Sequence, residues 1–382
     1  MKVYRILFFI ILILALINKV VCAEEYADIM AQQEDSLGIT KFINESEEYT
    51  SGIFDDMELS QVLSQAIQGK VDNGKLFKGV FKIFGKELQT TITILGSIIV
   101  IIVVNSILSC ITDGLENKSI GKVAYYVQFI LIVTVVLGNF SEIINSVKDS
   151  INDMESFTNM LIPILMTLII TTGSITTATI LQPILIFMIS LIGNFINNVA
   201  IPIILVSTAL GIISKISSRV QVDRLAKRLK SSTVWIIGII LTLFVTLVSV
   251  DGTLSSSVDA VTSKTTKAAV SNLVPVVGKI LGDAVDSVIG CGNILKNAIG
   301  ILGVIIVIAI SVTPIIKLLL LMAIYYITAA VCEPIADEKV VKLLDQMGDT
   351  FKILLAFMCS MSVMIIIGTT LIIKISNAGN IS

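Results

Sequence analysis

Residues 298–331 read AIGILGVIIVIAISVTPIIKLLLLMAIYYITAAV, and in this stretch Lys317 is the one charged side chain. Such a run has no place on a soluble surface. It is also longer than the ~20 residues that one membrane helix needs. The sequence therefore predicts two crossings here, with a turn near Thr313-Pro314, where proline removes a backbone donor. Working outward, further apolar windows cover Leu88–Ile111, Val123–Ile143, Leu161–Ile180, Leu181–Ile213, Thr233–Val250 and Phe351–Ile375. The window 181–213 holds Pro202 and reads either as one bent helix or as two short ones. These windows predict an all-α integral membrane protein, a polytopic bundle of about seven to nine transmembrane helices.

Composition supports this class and removes others. The chain of 382 residues is 55% hydrophobic and 15% charged, with a mean hydropathy of +0.94; soluble domains run nearer a quarter charged. The net charge of −2 gives no basic field for nucleic acid. The absence of histidine removes Ser-His-Asp and Cys-His nucleophiles and His-ligated zinc. Five dispersed cysteines form no Cys-x-x-Cys pair, which argues against a thiolate metal site. No Walker A loop or dinucleotide fingerprint occurs. The expectation is a protein without enzymatic activity, cofactor or metal, whose surroundings are the lipid bilayer and partner proteins.

Four regions follow. Residues 1–23 read as a cleaved signal peptide: Lys2 and Arg5, the apolar run Ile6–Ile17, then Val21-Cys22-Ala23. Residues 24–87 form a small acidic extracytoplasmic segment, with eleven Asp/Glu and one lysine between 24 and 58, a composition expected to stay solvated. It ends in an amphipathic helix, with Phe77, Val80, Phe81, Phe84 and Leu88 on one face and Lys75, Lys78, Lys82 and Lys86 on the other. Residues 88–375 are the transmembrane domain, and 376–382 a short tail. Orientation rests on the loop 214–231. It carries Arg219, Arg224 and Arg228 of the chain's four arginines, with Lys215, Lys227 and Lys230, against the single acid Asp223. The positive-inside rule makes it cytoplasmic. Asp149, Asp153 and Glu155 then fall in a loop on the outer side, while the lysines of 75–86 run against that orientation.

The order of features around Ile201-Pro202-Ile203-Ile204, Val222–Lys230 and the span 233–250 returns around Thr313-Pro314-Ile315-Ile316, Glu338–Asp349 and the span 351–375. If each unit crosses three times, the two form an inverted repeat. Polar groups at membrane depth are site candidates: Gln182, Asn194, Asn197 and Asn198, with Lys317 and Glu333 flanking the span after Pro314. The Thr-rich stretch 171–177 around Gly173 suits a broken helix or close helix contact. Gly290, Gly292, Gly300 and Gly303 suit helix packing, and Tyr325-Tyr326 an interface anchor. Arg219, Arg224, Lys227, Arg228 and Lys230 form a candidate loop for docking a partner.

Several separated motifs occur together in order: Thr172-Gly173-Ser174-Ile175-Thr176-Thr177-Ala178 leading to Gln182-Pro183, Val274-Pro275-Val276-Val277-Gly278 with Asp283-Ala284-Val285-Asp286-Ser287, Lys296-Asn297-Ala298-Ile299-Gly300, and Pro314-Ile315-Ile316-Lys317. In these the chain resembles the stage III sporulation protein AE family of endospore-forming bacteria. The resemblance implies a multi-pass protein of the mother-cell membrane around the forespore. It also implies partners among other stage III sporulation A proteins, including a cytoplasmic ATPase, and a role in a mother cell–forespore channel or secretion complex needed for late forespore development. The residues themselves leave an alternative: a stand-alone secondary transporter for a small solute, with its site near Asn194–Asn198 and Lys317.

Overall fold

The computed structural model describes residues 38–50, 58–70, 73–113, 118–216, 222–273 and 277–378. The signal-like segment, Arg219, residues 274–276 and the last four residues of the tail lie outside them. Among the described residues the regular structure is helical throughout: α1 (Ile39–Thr50), α2 (Leu59–Ile67), α3 (Asn73–Asp113), α4 (Lys118–Thr171), α5 (Ile175–Phe195), a π-helical turn (Ile196–Ala200), α6 (Ile201–Ile216), α7 (Asp223–Leu273), α8 (Val277–Cys332) and α9 (Glu338–Ala378).

Six helical paths among the described residues are long and apolar enough to cross a membrane: Phe77–Val104, Phe129–Thr171, Ile175–Lys215, Asp223–Val250, Val288–Cys332 and Glu338–Lys374. This is fewer than the seven to nine expected, for two reasons. The stretch 298–331 does not turn at Pro314; it stays within α8, whose 56 residues measure about 84 Å. The windows 123–143 and 161–171 likewise belong to one helix, α4, and the break falls at Thr172–Ser174, where Gly173 takes a φ of 87° that favours a residue without Cβ. Proline at 163, 183 and 314 sits inside helices, which packed neighbours make tolerable. Of the two readings left open for 181–213, the structure takes the continuous path. The wider π-turn just before Pro202 absorbs its missing donor without a hinge.

Cross-helix contacts fix the directions. Asp259 of α7 meets Thr176 and Thr177 at the start of α5, while Ser207 of α6 meets Ala226 near the start of α7. Gly300 of α8 packs on Ile373 of α9, and Gly348 of α9 on Tyr326 of α8. Each hairpin is therefore antiparallel, and the ends of α6 and α8 lie with the starts of α7 and α9 at one end of the bundle. The echoed units, the α5–α6 path with α7 and α8 with α9, each make two passes and share one orientation. They are not inverted, because 298–331 makes one pass and not two.

Helix α8 is the centre, packing against α9, α4, α3, α2, α7 and α1. Gly303 abuts Leu161 of α4 and Gly292 abuts Thr171 and Thr172, so these glycines and Gly300 do serve close packing. The acidic segment before the spans also corrects an expectation. Charges on one face did not keep its described helices in solvent: α1 buries Ile39, Phe42 and Ile43, and α2 buries Leu59, Val62, Leu63 and Ala66 in the main core. Burial of each large apolar side chain contributes about 1.5–3 kcal/mol, enough to dock both short helices. At the start of α3 the inward residue is Ile83, against Ile316 and Leu320, with Val80 and Leu88 beside it; Phe77, Phe81 and Phe84 are exposed.

Candidate functional site

At the basic-loop end, α6, α7 and α9 share a buried polar network. Lys230 donates to Thr350 Oγ1 at 2.6 Å, and Thr350 donates to the Gln346 carbonyl at 2.8 Å. Lys215 donates to the Gln346 side-chain oxygen and to the Gly211 carbonyl, and lies 3.7 Å from Asp223. Gln346 Nε2 in turn donates to the Thr208 carbonyl at 3.0 Å. Gly211 makes this possible, since a Cβ there would overlap the Gln346 amide. Ser207 closes the α6–α7 corner by donating to the Ala226 carbonyl at 2.6 Å. Lys230 and Lys215 are 7% and 9% exposed, and a buried ammonium needs these acceptors. Lys230 is thus not available for docking as expected. Arg224, Lys227 and Arg228 are exposed and form an outward basic face over this locked base.

At the other end, the Thr-rich stretch does break the helix, and its partner is a residue the sequence reading passed over. Asp259 accepts the Thr176 amide at 2.9 Å and the Thr177 amide at 2.8 Å. These are first-turn donors of α5 without an intrahelical acceptor, and the carboxylate also meets the positive end of the helix dipole. Asp259 is 4% exposed. Burial pushes its carboxyl up, but the hydrogen bonds of Thr177 and Thr176 outweigh this and hold it below the usual carboxylate range. Asp259 lay in what reads as a polar connection after 250; in the structure α7 runs on to Leu273.

The intramembrane candidates separate. Asn197 donates to Asn152 of α4 at 2.7 Å, and its own side-chain oxygen is buried with no partner among the described residues. Asn198 donates to Asn194, and Asn194 to the Ser190 carbonyl; these bonds stay on their own helix. Lys317 pairs with Glu142 at 2.8 Å. Its contact on α4 is ten residues from that of Asn197, about 15 Å along the helix. The asparagines and Lys317 therefore do not converge on one pocket. Gln182 is half-buried, and Glu333 is exposed in the turn between α8 and α9. Tyr325 is no interface anchor: it is fully buried, its ring 5.2 Å from Phe351, which stands 5.9 Å from Phe140. Tyr326 donates to Asp349 at 2.7 Å. Asp149 and Asp153 are not in a loop; they stand on the exposed side of mid-α4.

Fold and contacts together define a multi-pass helical membrane protein with one end locked by buried lysines and one helix entry capped across 83 residues of chain. The chain belongs to the stage III sporulation protein AE family, whose family model matches residues 57–376, and its role lies in sporulation. It is 31% identical over 300 residues to "Stage III sporulation protein AE" of Bacillus subtilis (strain 168), covering 78% of this chain and 75% of that protein. No solved structure matches it.

Proposed function

We propose that the chain is a membrane subunit of the mother cell–forespore channel or secretion complex, seated in the mother-cell membrane around the forespore. Its basic-loop end would lie in the cytoplasm and dock an acidic face of a partner, the complex's ATPase. The observation that carries this reading is the exposed trio Arg224, Lys227 and Arg228 standing on a base that Lys215, Lys230, Gln346 and Thr350 hold together. A basic face on a rigid support steers and orients an acidic partner. The family itself supports a sporulation setting. The positive-inside rule supports the cytoplasmic placement, and an odd number of long passes between α2 and the basic loop fits an exported amino-terminal segment. The test is to delete the gene and complement it with the triple variant R224E/K227E/R228E. The deletion strain is expected to grow normally and to stall after engulfment. The triple variant is expected to insert at wild-type abundance and orientation yet fail to restore heat-resistant spores. Full restoration by the triple variant would remove the docking role.

A further inference from the structure

Mid-α4 carries a polar stripe at an unexpected depth. Asp149, Asn152, Asp153 and Asn159 point outward, while Val147, Ile151, Met154 and Phe157 of the same helix are buried. Contacts at both ends set the level of this stripe against α8: Glu142 pairs with Lys317 and Leu161 meets Gly303. The stripe therefore runs beside residues 303–317, the middle of the most apolar span. On another side, Asn152 binds Asn197, and Glu155 abuts Gly193. Asn197 lies ten residues before Ser207, whose contact Ala226 lies ten before Ile236. The stripe is thus level with the α7 face where Trp235, Ile239 and Leu243 are exposed. Helix α1 joins the polar side. Phe42 and Tyr49 each stand 5.9 Å from Phe157, and Lys41, Glu45, Glu47 and Glu48 face outward. Asp153 lies within electrostatic reach of Asp149 and Glu48, so acidic side chains of α1 and α4 meet on this flank.

We infer that the α1–α4 flank faces a water-filled space at the depth where the α5–α7 flank faces lipid. Ionised carboxylates facing hydrocarbon are strongly disfavoured, and charges at this depth turn toward protein or water. The repulsion that Asp149 and Glu48 each exert on Asp153 is weakened by water and strengthened in a dry contact. Further subunits bound the space on its other sides, a statement that rests on the reading of the chain as part of a larger assembly. The wall is acidic, so it draws cationic solutes and repels anionic ones.

The test uses the full chain with its cysteines replaced, in opened membranes of sporulating cells, carrying single cysteines at Glu48, Asn152, Asp153 or Ile239. The probes are two thiosulfonate reagents of one chemistry, a trimethylammonium and a sulfonate, and the size of the labelled complex is read by sedimentation. The three polar-flank positions are expected to label roughly tenfold or more faster than Ile239→Cys, because a thiol needs water to ionise. The cationic reagent is expected to outpace the anionic one at Asn152→Cys by more than it does on a free thiol. Equal labelling at Ile239 puts this level outside the bilayer and overturns the inference. No labelling on the polar flank of a chain that sediments as a large complex overturns it too, while leaving the subunit reading intact. Polar-flank labelling of a chain that sediments as a single copy retains the hydrated flank and removes the subunit reading.

Discussion

At the scale of single residues, Asp259 joins segments that the sequence leaves far apart. Its two bonds to the first turn of α5 are charge-assisted, and such bonds contribute about 1.5–3 kcal/mol. Replacing Asp259 by asparagine keeps one acceptor oxygen and loses the charge. In purified, detergent-solubilised protein D259N is expected to be less stable than wild type by about 1–3 kcal/mol, read as an earlier thermal transition. The pH dependence has a definite sign. The folded carboxyl is held below its ordinary value, so its contribution is complete above the unfolded pKa of about 3.9 and disappears as pH falls through the lower folded value. The gap between wild type and D259N is expected to stay constant from neutrality to about pH 5 and to close only in acid. A gap that closes near neutrality would contradict the capping geometry.

At the scale of elements, α8 tests the continuity of 298–331. If one helix runs through Pro314, then α4 lies against it along its length, and two distant contacts exist at once. The pairs E142C/K317C and L161C/G303C, tested separately with a short bifunctional thiol reagent that bridges the gap left by the truncated side chains, are both expected to cross-link at wild-type abundance, since these sites face each other in the fold. A turn at Pro314 would allow only one pair to form. This element also shows where sequence reading reaches its limit. The apolar windows predict helices and a membrane, because composition alone fixes both. Thr171–Thr177 is legible as a break because small and hydroxylated residues with one glycine suit it. Pro314 misleads, because proline ends helices in water but is accommodated where buried neighbours hold the helix straight. The acidic α1 misleads in the opposite way: its charges hide the i, i+3, i+4 spacing of Ile39, Phe42 and Ile43, which buries one face. Asp259 is illegible as a site residue, and Lys230 is legible only as a loop charge and not as a buried tie, for their partners Thr176 and Thr350 are 83 and 120 residues away.

For the whole molecule, the alternating hairpins make a topological prediction that differs from the one drawn from the windows. The end of α6, the start of α7 and the connection 333–337 lie at the same end of the bundle. Reporters inserted after Lys230 and at Ile335 are expected to give the same, cytoplasmic, signal, and one fused after Ser382 the opposite signal. A crossing between Pro314 and Ile335 would put the Ile335 reporter on the other side. The arrangement also explains how few charges hold the basic end in place. Two lysines are turned inward at the corner of three helices, and removing Thr350 Oγ1 takes an acceptor from the buried Lys230 ammonium, a loss of about 1.5–3 kcal/mol for a hydrogen bond to a charged group. Arg224 and Arg228 are exposed on that same end.

The clasp between Asp259 and the entry of α5 has a consequence for how the protein is made. The chain emerges in order, and at 5–20 residues per second the 83 residues that separate Thr176 from Asp259 take roughly 4–17 s to synthesise. For that interval α5 has been delivered to the membrane while its leading amides have only water, lipid headgroups or the insertion machinery as acceptors. Final seating of the third long pass thus waits for the far end of the fourth. A ribosome that stalls before codon 259 leaves a nascent chain whose α5 entry is still open, and membrane quality control meets it in that state.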